Sequence, residues 1–283
     1  MPQTGPGAFT PPSRAPRERE QGDLFSGRGD TAIADATPSE TVADPRALSD
    51  AALIAAIPHA GQSACRSLAL EAARRRLVAA VPALEALCRR FKGFGLRHTV
   101  AEQAAALPAM AAIGGAEAVA AIRRIIVQDV VAGPGLTEAV RAAAALRCIL
   151  PEETAATLLR HPDPAIRALA CRCTPRSEQS AGLLASLLED LNPGVATEAA
   201  KGLARMGRPD GRGWLLRLLA QQPDADVLGA IAVIADDECA VLLGRIARSH
   251  PALREAAVQA LESIETPRAG AVLASLATVP TAN

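Results

Sequence analysis

The sequence predicts an all-α fold, a right-handed α-solenoid of about seven helix-pair repeats that follows a disordered N-terminal tail. The main observation is a fixed register, since 29 positions separate Pro164 from Pro193 and 58, twice that number, separate Pro193 from Pro251. Such a period is typical of solenoids built from helix pairs. Composition agrees: 49% of the residues are hydrophobic, only 2% are aromatic, and period-two β-branched runs are missing.

A repeated phrase traces the first helix of each pair. The apolar face that follows Pro251 recurs 58 positions earlier with side chains of the same size, and again 29 positions before that. Proline suits the first helical position, where its missing N–H costs nothing, and Asp163 and Asn192 directly before two of these prolines suit an N-cap. Looser copies of this helix are predicted at 65–76, 100–110, 140–149 and 225–234.

A second phrase with doubled leucines predicts the partner helices. It places them at 118–126, 155–159, 181–188, 214–219, 239–246 and 269–276. Between about 80 and 135 the sequence holds Pro82, Gly93, Gly95 and the Gly133–Gly135 turn, so the early repeats are expected to be irregular.

The chain divides into two parts by composition. Residues 1–44 are rich in Pro, Gly, Ser, Thr and charge, and such a segment buries too little apolar surface to offset its ordering entropy. They are predicted to be a disordered tail, and residues 45–283 the solenoid domain.

Charge and cysteine usage exclude several classes of protein. Thirty basic residues balance thirty acidic ones, so no global attraction to nucleic acid or anionic lipid is implied. Six scattered cysteines beside Ala and Leu are interpreted as small core residues. The first twenty residues do not resemble a secretory signal, and no apolar run is long enough to span a membrane, which predicts a cytoplasmic protein.

The repeated phrase Asp-Pro-x-Ile/Val-Arg, followed by Ala and then Ala-Leu, resembles bacterial HEAT-like repeats, especially the type first named from phycobilisome lyases. The resemblance covers about residues 47–280 and implies a fold and no activity. The arginine that such repeats carry on the first helix matches Arg167 and Arg254, and more loosely Arg66 and Arg141. The resemblance implies that this arginine pairs with the N-cap aspartate of a neighbouring repeat, for which only Asp163 matches well.

The tail contains the sharpest functional motif, Gln21-Gly22-Asp23-Leu24-Phe25. It resembles the bacterial sliding-clamp-binding pentapeptide, which has Gln, any residue, Ser or Asp, Leu and Phe. Leu24 and Phe25 would fill an apolar pocket of the partner while Gln21 and Asp23 complete the match. The alternative is an accidental match in a polar tail.

A basic stretch within residues 66–97 is a candidate nucleic-acid or anion site. Clustered Arg and Lys suit phosphate contacts, and an exposed Phe91 or Phe94 suits stacking on a base. The alternative is a solvated helix face with both phenylalanines packed under a loop. The candidate residues are Arg74, Arg75, Arg76, Arg89, Arg90, Lys92 and Arg97.

The sequence shows no catalytic constellation and no metal-ligand spacing, so no enzyme, metal or cofactor is predicted. The four histidines lie near turns and are interpreted as turn or capping residues. The leading hypothesis is a non-enzymatic scaffold for protein partners, with the sliding clamp as one candidate. Two alternatives remain: a nucleic-acid-binding protein of repair or replication that uses residues 66–97, and an accessory lyase or chaperone.

Overall fold

The computed structural model describes residues 44–277, in which the regular structure is helical throughout. Seven helices pack one on the next and form a first layer, and seven partner helices form a second layer. A short helix, α1 (Asp50–Ala56), precedes the first pair. The first layer comprises α2 (Cys65–Arg74), α4 (Ala101–Ile113), α6 (Pro134–Ala145), α8 (Pro164–Ala170), α10 (Pro193–Arg205), α12 (Ala225–Ile234) and α14 (Arg254–Glu262). The second comprises α3 (Val81–Arg90), α5 (Gly115–Val127), α7 (Glu152–Leu159), α9 (Glu178–Ser186), α11 (Arg212–Gln221), α13 (Asp237–Ser249) and α15 (Pro267–Ala277).

The predicted all-α architecture of about seven helix pairs is confirmed over these residues. Every segment predicted as a first helix lies in the first layer, and every segment predicted as a partner lies in the second. One partner helix, α3, was not predicted, because it lacks the doubled leucines and falls where Pro82 and several glycines indicate irregular repeats. Pro82 instead occupies the first turn of α3, where its missing N–H leaves no bond unmade.

Two of the predicted helix starts have the expected N-cap residues. Asp163 accepts a hydrogen bond from the Ala165 N–H, Asn192 accepts from the Gly194 N–H, and Pro164 and Pro193 are the first residues of their helices, as predicted. Pro251 differs, because it opens a 3₁₀ turn and α14 begins only at Arg254. His250 precedes it and makes no capping hydrogen bond, so the N–H groups of that turn lack the acceptor that Asp or Asn supplies elsewhere.

The helix predicted at 140–149 needs a larger correction. It begins earlier, at Pro134, and ends at Ala145. Gly133, predicted to belong to a turn, is the N-cap with φ of +50°, and a Cβ there would lie 2.4 Å from the Leu96 carbonyl oxygen. Only glycine fits this close approach of two backbones, which ties the loop after α3 to the start of α6.

Small and aliphatic side chains fill the space between the layers. Ile166, Leu203 and Leu261 are fully buried, as the shared apolar face predicts, and Leu253 and Met206 lie half-buried at the ends of that face. All six cysteines are buried thiols, in keeping with their interpretation as core residues.

A bidentate ion pair joins two consecutive repeats. Arg167 on α8 donates through Nε and Nη2 to both carboxylate oxygens of Asp190, at 2.8 and 2.9 Å, in the loop before α10. Its remaining nitrogen donates to the carbonyls of His161 and Pro162. The resemblance implied an N-cap aspartate of a neighbouring repeat as the partner; the next repeat instead has Asn192 at its N-cap, and Asp163 accepts the Ala165 N–H of its own helix. Arg254 bonds within its own helix pair, to the Leu276 carbonyl on α15.

Residues 1–43 and 278–283 lie outside the described part of the chain. The predicted disordered tail and the motif at Gln21–Phe25 therefore fall on residues of which no structure is described.

Removing buried leucine methyls should destabilise the fold strongly. We expect Leu203→Ala and Leu261→Ala each to lower the free energy of unfolding by about 2–5 kcal/mol, from lost transfer energy and the cavity left behind. Urea denaturation followed by circular dichroism measures this. Leu191→Ala is the matched control, because Leu191 is fully exposed and its change should stay within about 0.5 kcal/mol. Losses of equal size would contradict the packing.

The Arg167–Asp190 pair should make stability depend on pH in the acid range. Hydrogen bonds from Arg167 outweigh burial and hold the pKa of Asp190 below its ordinary value of 3.8. The carboxylate therefore stabilises the fold fully above pH 3.8, and this contribution is lost as the pH falls through the lowered native pKa.

We expect Asp190→Asn to be about 1–3 kcal/mol less stable than the wild type at neutral pH. The difference should shrink on acidification below pH 3.8. Asp210→Asn, in an exposed pair with Arg208, is the control and should differ little from the wild type at any pH. A constant difference for Asp190→Asn down to pH 2 would show that the pair is not responsible.

Candidate functional site

A cleft of about 550 Å³ crosses four consecutive repeats of the first layer. Its walls come from the end of α6, the turn after α8, the second half of α10 and the first half of α12. A cleft of this size lies in the range of those that hold ligands in proteins.

Positive charge predominates in this cleft, although the whole chain is neutral. Two acidic residues, Glu198 and Asp226, also line it. The formal net charge of the lining is therefore positive, which concentrates anions locally. The five basic lining residues are Arg147, Arg172, Arg176, Lys201 and Arg205.

Internal partners compensate only part of this charge. Lys201 lies 2.5 Å from the Glu198 Oε1 and 4.0 Å from the Asp226 carboxylate. Arg147, Arg172 and Arg176 are exposed, and the described residues place no carboxylate within ion-pair distance of them.

Arg205 is held in the wall of the cleft. Its guanidinium donates to the Cys171 carbonyl at 3.0 Å, and desolvation lowers its pKa, with Glu198 offsetting only part of that effect. One oxygen of Glu198, Oε2, is buried and accepts no hydrogen bond from the described residues. Arg205 is itself exposed, and the described residues place no carboxylate within ion-pair distance of its guanidinium.

The floor between these charges is small and aliphatic. A Cβ on Gly229 would meet no atom within 4 Å, so this glycine leaves open space, and Met206 and Ala230 supply apolar surface. Ile149 at the edge is 44% exposed, which is high for a large aliphatic side chain. The cleft can therefore accept apolar groups and anionic groups side by side.

The sequence analysis missed this site although the repeat register contains it. Successive intervals of 29 positions join Arg147, Arg176 and Arg205, and the same interval joins Arg172 to Lys201. The repeated apolar residues predict the helices, but they carry no information on the basic residues that lie between them. Because the first helices stack directly on one another, basic residues at the same position of successive repeats indicate a common surface.

The predicted basic stretch is divided by the structure, and its first part is structural. Arg75 is largely buried; it pairs with Glu71 at 2.6 Å and Asp50 at 2.7 Å and donates to backbone carbonyls at the start of the described chain. Arg74 also pairs with Glu71. The hydrogen bonds from Arg74 and Arg75 lower the pKa of Glu71 to about 2. Arg75 anchors the segment before α1 onto α2, whereas, among the described residues, Arg74 bonds only within α2.

The second part of the stretch is partly engaged as well. Arg89 and Arg124 both pair with Glu85 at 2.6 Å, and these hydrogen bonds outweigh burial and leave the Glu85 pKa below its ordinary value. Arg90 donates to the Pro58 and Ala60 carbonyls and lies over the ring of Phe91.

The remaining candidates stay accessible. Arg76, Lys92 and Arg97 are exposed and make no ion pair with the described residues. Phe94 is 61% exposed, whereas Phe91 packs against the core, so only Phe94 is accessible for stacking. The loop between α3 and α4 therefore presents Lys92, Phe94 and Arg97 together.

Other titratable groups have structural roles or none that the geometry shows. The His161 ring accepts a hydrogen bond from the Asp163 N–H, as the turn interpretation predicts. Burial raises the pKa of the Cys171 and Cys173 thiols to about 12, which makes them unreactive at neutral pH. Residues 44–277 contain no cluster of His, Cys, Asp and Glu suited to a metal ion. Nor does any helix in this range have the length and apolar character needed to cross a bilayer.

Comparison with known proteins agrees with the architecture. Residues 151–235 match the family model described as HEAT repeats, and this segment contains α7 through α12, including two of the helices that line the cleft. A search of curated proteins finds no match to the chain. The family match and the seven stacked helix pairs together support a HEAT-like repeat protein.

Proposed function

We propose that the protein is a non-enzymatic HEAT-repeat scaffold of the cytoplasm that brings two partners together. One partner lies on the first helix layer, and the second, the replication sliding clamp, is recruited through Gln21, Asp23, Leu24 and Phe25 in the tail. HEAT repeats generally serve as surfaces for protein interaction. The observation that carries the proposal is the open cleft across four stacked repeats, in and beside the segment that matches the HEAT family.

The tail suits the second role by its chemistry. Leu24 and Phe25 are adjacent large apolar residues in a polar segment, and such a pair can anchor a short motif in a pocket of a partner. Short motifs of this kind bind with modest affinity, because the segment loses conformational entropy when it binds. Modest affinity suits a scaffold that must release its partner.

The tail motif can be tested directly by titration with a purified bacterial sliding clamp. We expect Leu24→Ala combined with Phe25→Ala to weaken binding of the full chain at least about tenfold, or ~1.4 kcal/mol, because both anchors lose their apolar contacts. The helical signal in circular dichroism should not change. Ile33→Ala combined with Val42→Ala removes the same number of apolar tail side chains outside the motif and should leave binding intact. Equal affinity of the motif variant and the wild type would refute clamp recruitment.

A second candidate function, nucleic-acid binding, is favoured by one specific surface. The loop between α3 and α4 presents Phe94 beside Lys92 and Arg97, and an exposed ring with nearby cations is the arrangement that binds single strands. Arg74, Arg75, Arg89 and Arg90 contribute less than the sequence suggested, because their side chains bond within the protein. The accessory lyase or chaperone role remains a prediction from the repeat resemblance alone.

Fluorescence anisotropy with a labelled single-stranded oligonucleotide at low salt tests this second function. We expect Lys92→Glu combined with Arg97→Glu to lower the affinity at least about fivefold and to reduce its dependence on salt concentration. Arg123→Glu combined with Arg245→Glu is the control, since both residues are exposed arginines in other repeats. Undetectable binding by the wild type, or an equal loss in both variants, would exclude a specific site on this loop.

A further inference from the structure

We propose that the cationic cleft across α6, α8, α10 and α12 binds an acidic peptide segment of a partner protein in an extended conformation. The inference rests on the proposed scaffold function and adds the chemical class of the partner held on the first layer. The charges, the floor of the cleft and the spacing of the repeats each point to it.

Charge complementarity comes first. Arg147, Arg172 and Arg176 point their unpaired guanidinium groups to solvent at one cleft, and the described residues compensate none of them. Arginine forms two parallel hydrogen bonds with a carboxylate, so Asp and Glu side chains are well matched to these groups. Arg205 is exposed as well, and its N–H groups that do not bond to the Cys171 carbonyl can donate to an acidic ligand.

The floor distinguishes a peptide from a nucleic acid. No aromatic side chain occurs among the described residues that line the cleft, so bases would find no ring on which to stack. Glu198 and Asp226 also lie there, and they repel phosphates and acidic side chains alike. A peptide has N–H groups that can donate to such carboxylates, and its apolar side chains fit beside Ile149 and Met206.

The repeat spacing suggests how the acidic residues should be placed. Packed helices lie roughly 8–10 Å apart, and an extended chain advances about 3.3 Å per residue. One acidic residue at about every third position therefore meets the arginines of consecutive repeats. The common 29-residue interval of Arg147, Arg176 and Arg205 provides one such group per repeat.

A labelled peptide of about twelve residues tests the proposal, with Glu at every third position and Leu, Ser and Ala between. We expect it to bind the full chain in fluorescence anisotropy, and we expect binding to weaken as ionic strength rises, because exposed charges are screened within a Debye length of about 8 Å at physiological salt. The same peptide with Gln in place of Glu should bind at least about tenfold more weakly. Equal binding of the two peptides would overturn the proposal without any change to the protein.

The protein variants locate the site. Arg172→Glu combined with Arg176→Glu should lower the affinity for the Glu peptide at least about tenfold, since it reverses two unpaired charges in the cleft. Arg123→Glu combined with Arg245→Glu changes the net charge equally, at exposed positions that do not line the cleft, and should change the affinity less than about twofold. Equal losses would assign binding to net charge and refute the site.

Two further outcomes are decisive. Tighter binding of a single-stranded oligonucleotide than of the peptide, sensitive to the same two arginines, would assign the cleft to nucleic acid and refute the peptide. Absence of peptide binding alongside clamp binding that depends on Leu24 and Phe25 would refute this inference and leave the scaffold proposal standing.

Discussion

Close contact between small residues on neighbouring helices is the constraint on which the rest of the structure depends. A Cβ on Gly211 would lie 2.7 Å from the Ala200 Cα, and one on Gly244 would lie 2.4 Å from a Val272 methyl. Alanine-rich faces bring helix backbones near enough for single leucines such as Leu203 to fill the remaining space. Larger residues at these contacts would separate the helices and change the angle between repeats.

That constraint explains how distant parts of the chain form one surface. Because α6, α8, α10 and α12 pack directly in series, residues near their ends enter a single cleft although more than eighty positions separate Arg147 from Ala230. The interaction between Arg167 and Asp190 fixes the stacking of α8 on α10 from the other end of α8, where the chain enters the helix. In this part of the fold, residues that hold the repeats together lie at the start of the helix, and residues that line the cleft lie after its end.

The sequence predicted the architecture well and the site poorly, for a physical reason. Buried positions such as Ile166 and Val195 must repeat in size because each repeat packs on the next, so their pattern is visible along the chain. Helix α3 escaped detection because its apolar face is made by Leu84 and Leu87 without a doubled leucine. Whether an arginine is free or paired depends on tertiary contacts. Arg75 pairs with Asp50 on another helix, and no local sequence pattern predicts that contact.

Two groups of arginines show how the difference between paired and unpaired side chains bears on function. Around α2 and α3, Glu71 and Glu85 are buried carboxylates that each bind two arginines, so part of the positive charge in that segment is compensated by neighbouring side chains. Among the described residues that line the cleft, the carboxylates are Glu198 and Asp226, and both lie within ion-pair distance of Lys201. Placing several like charges together without counterions costs free energy through their mutual repulsion. The cleft therefore has anion-binding capacity at the position where four repeats contribute residues, in addition to the exposed Lys92 and Arg97 on the loop between α3 and α4.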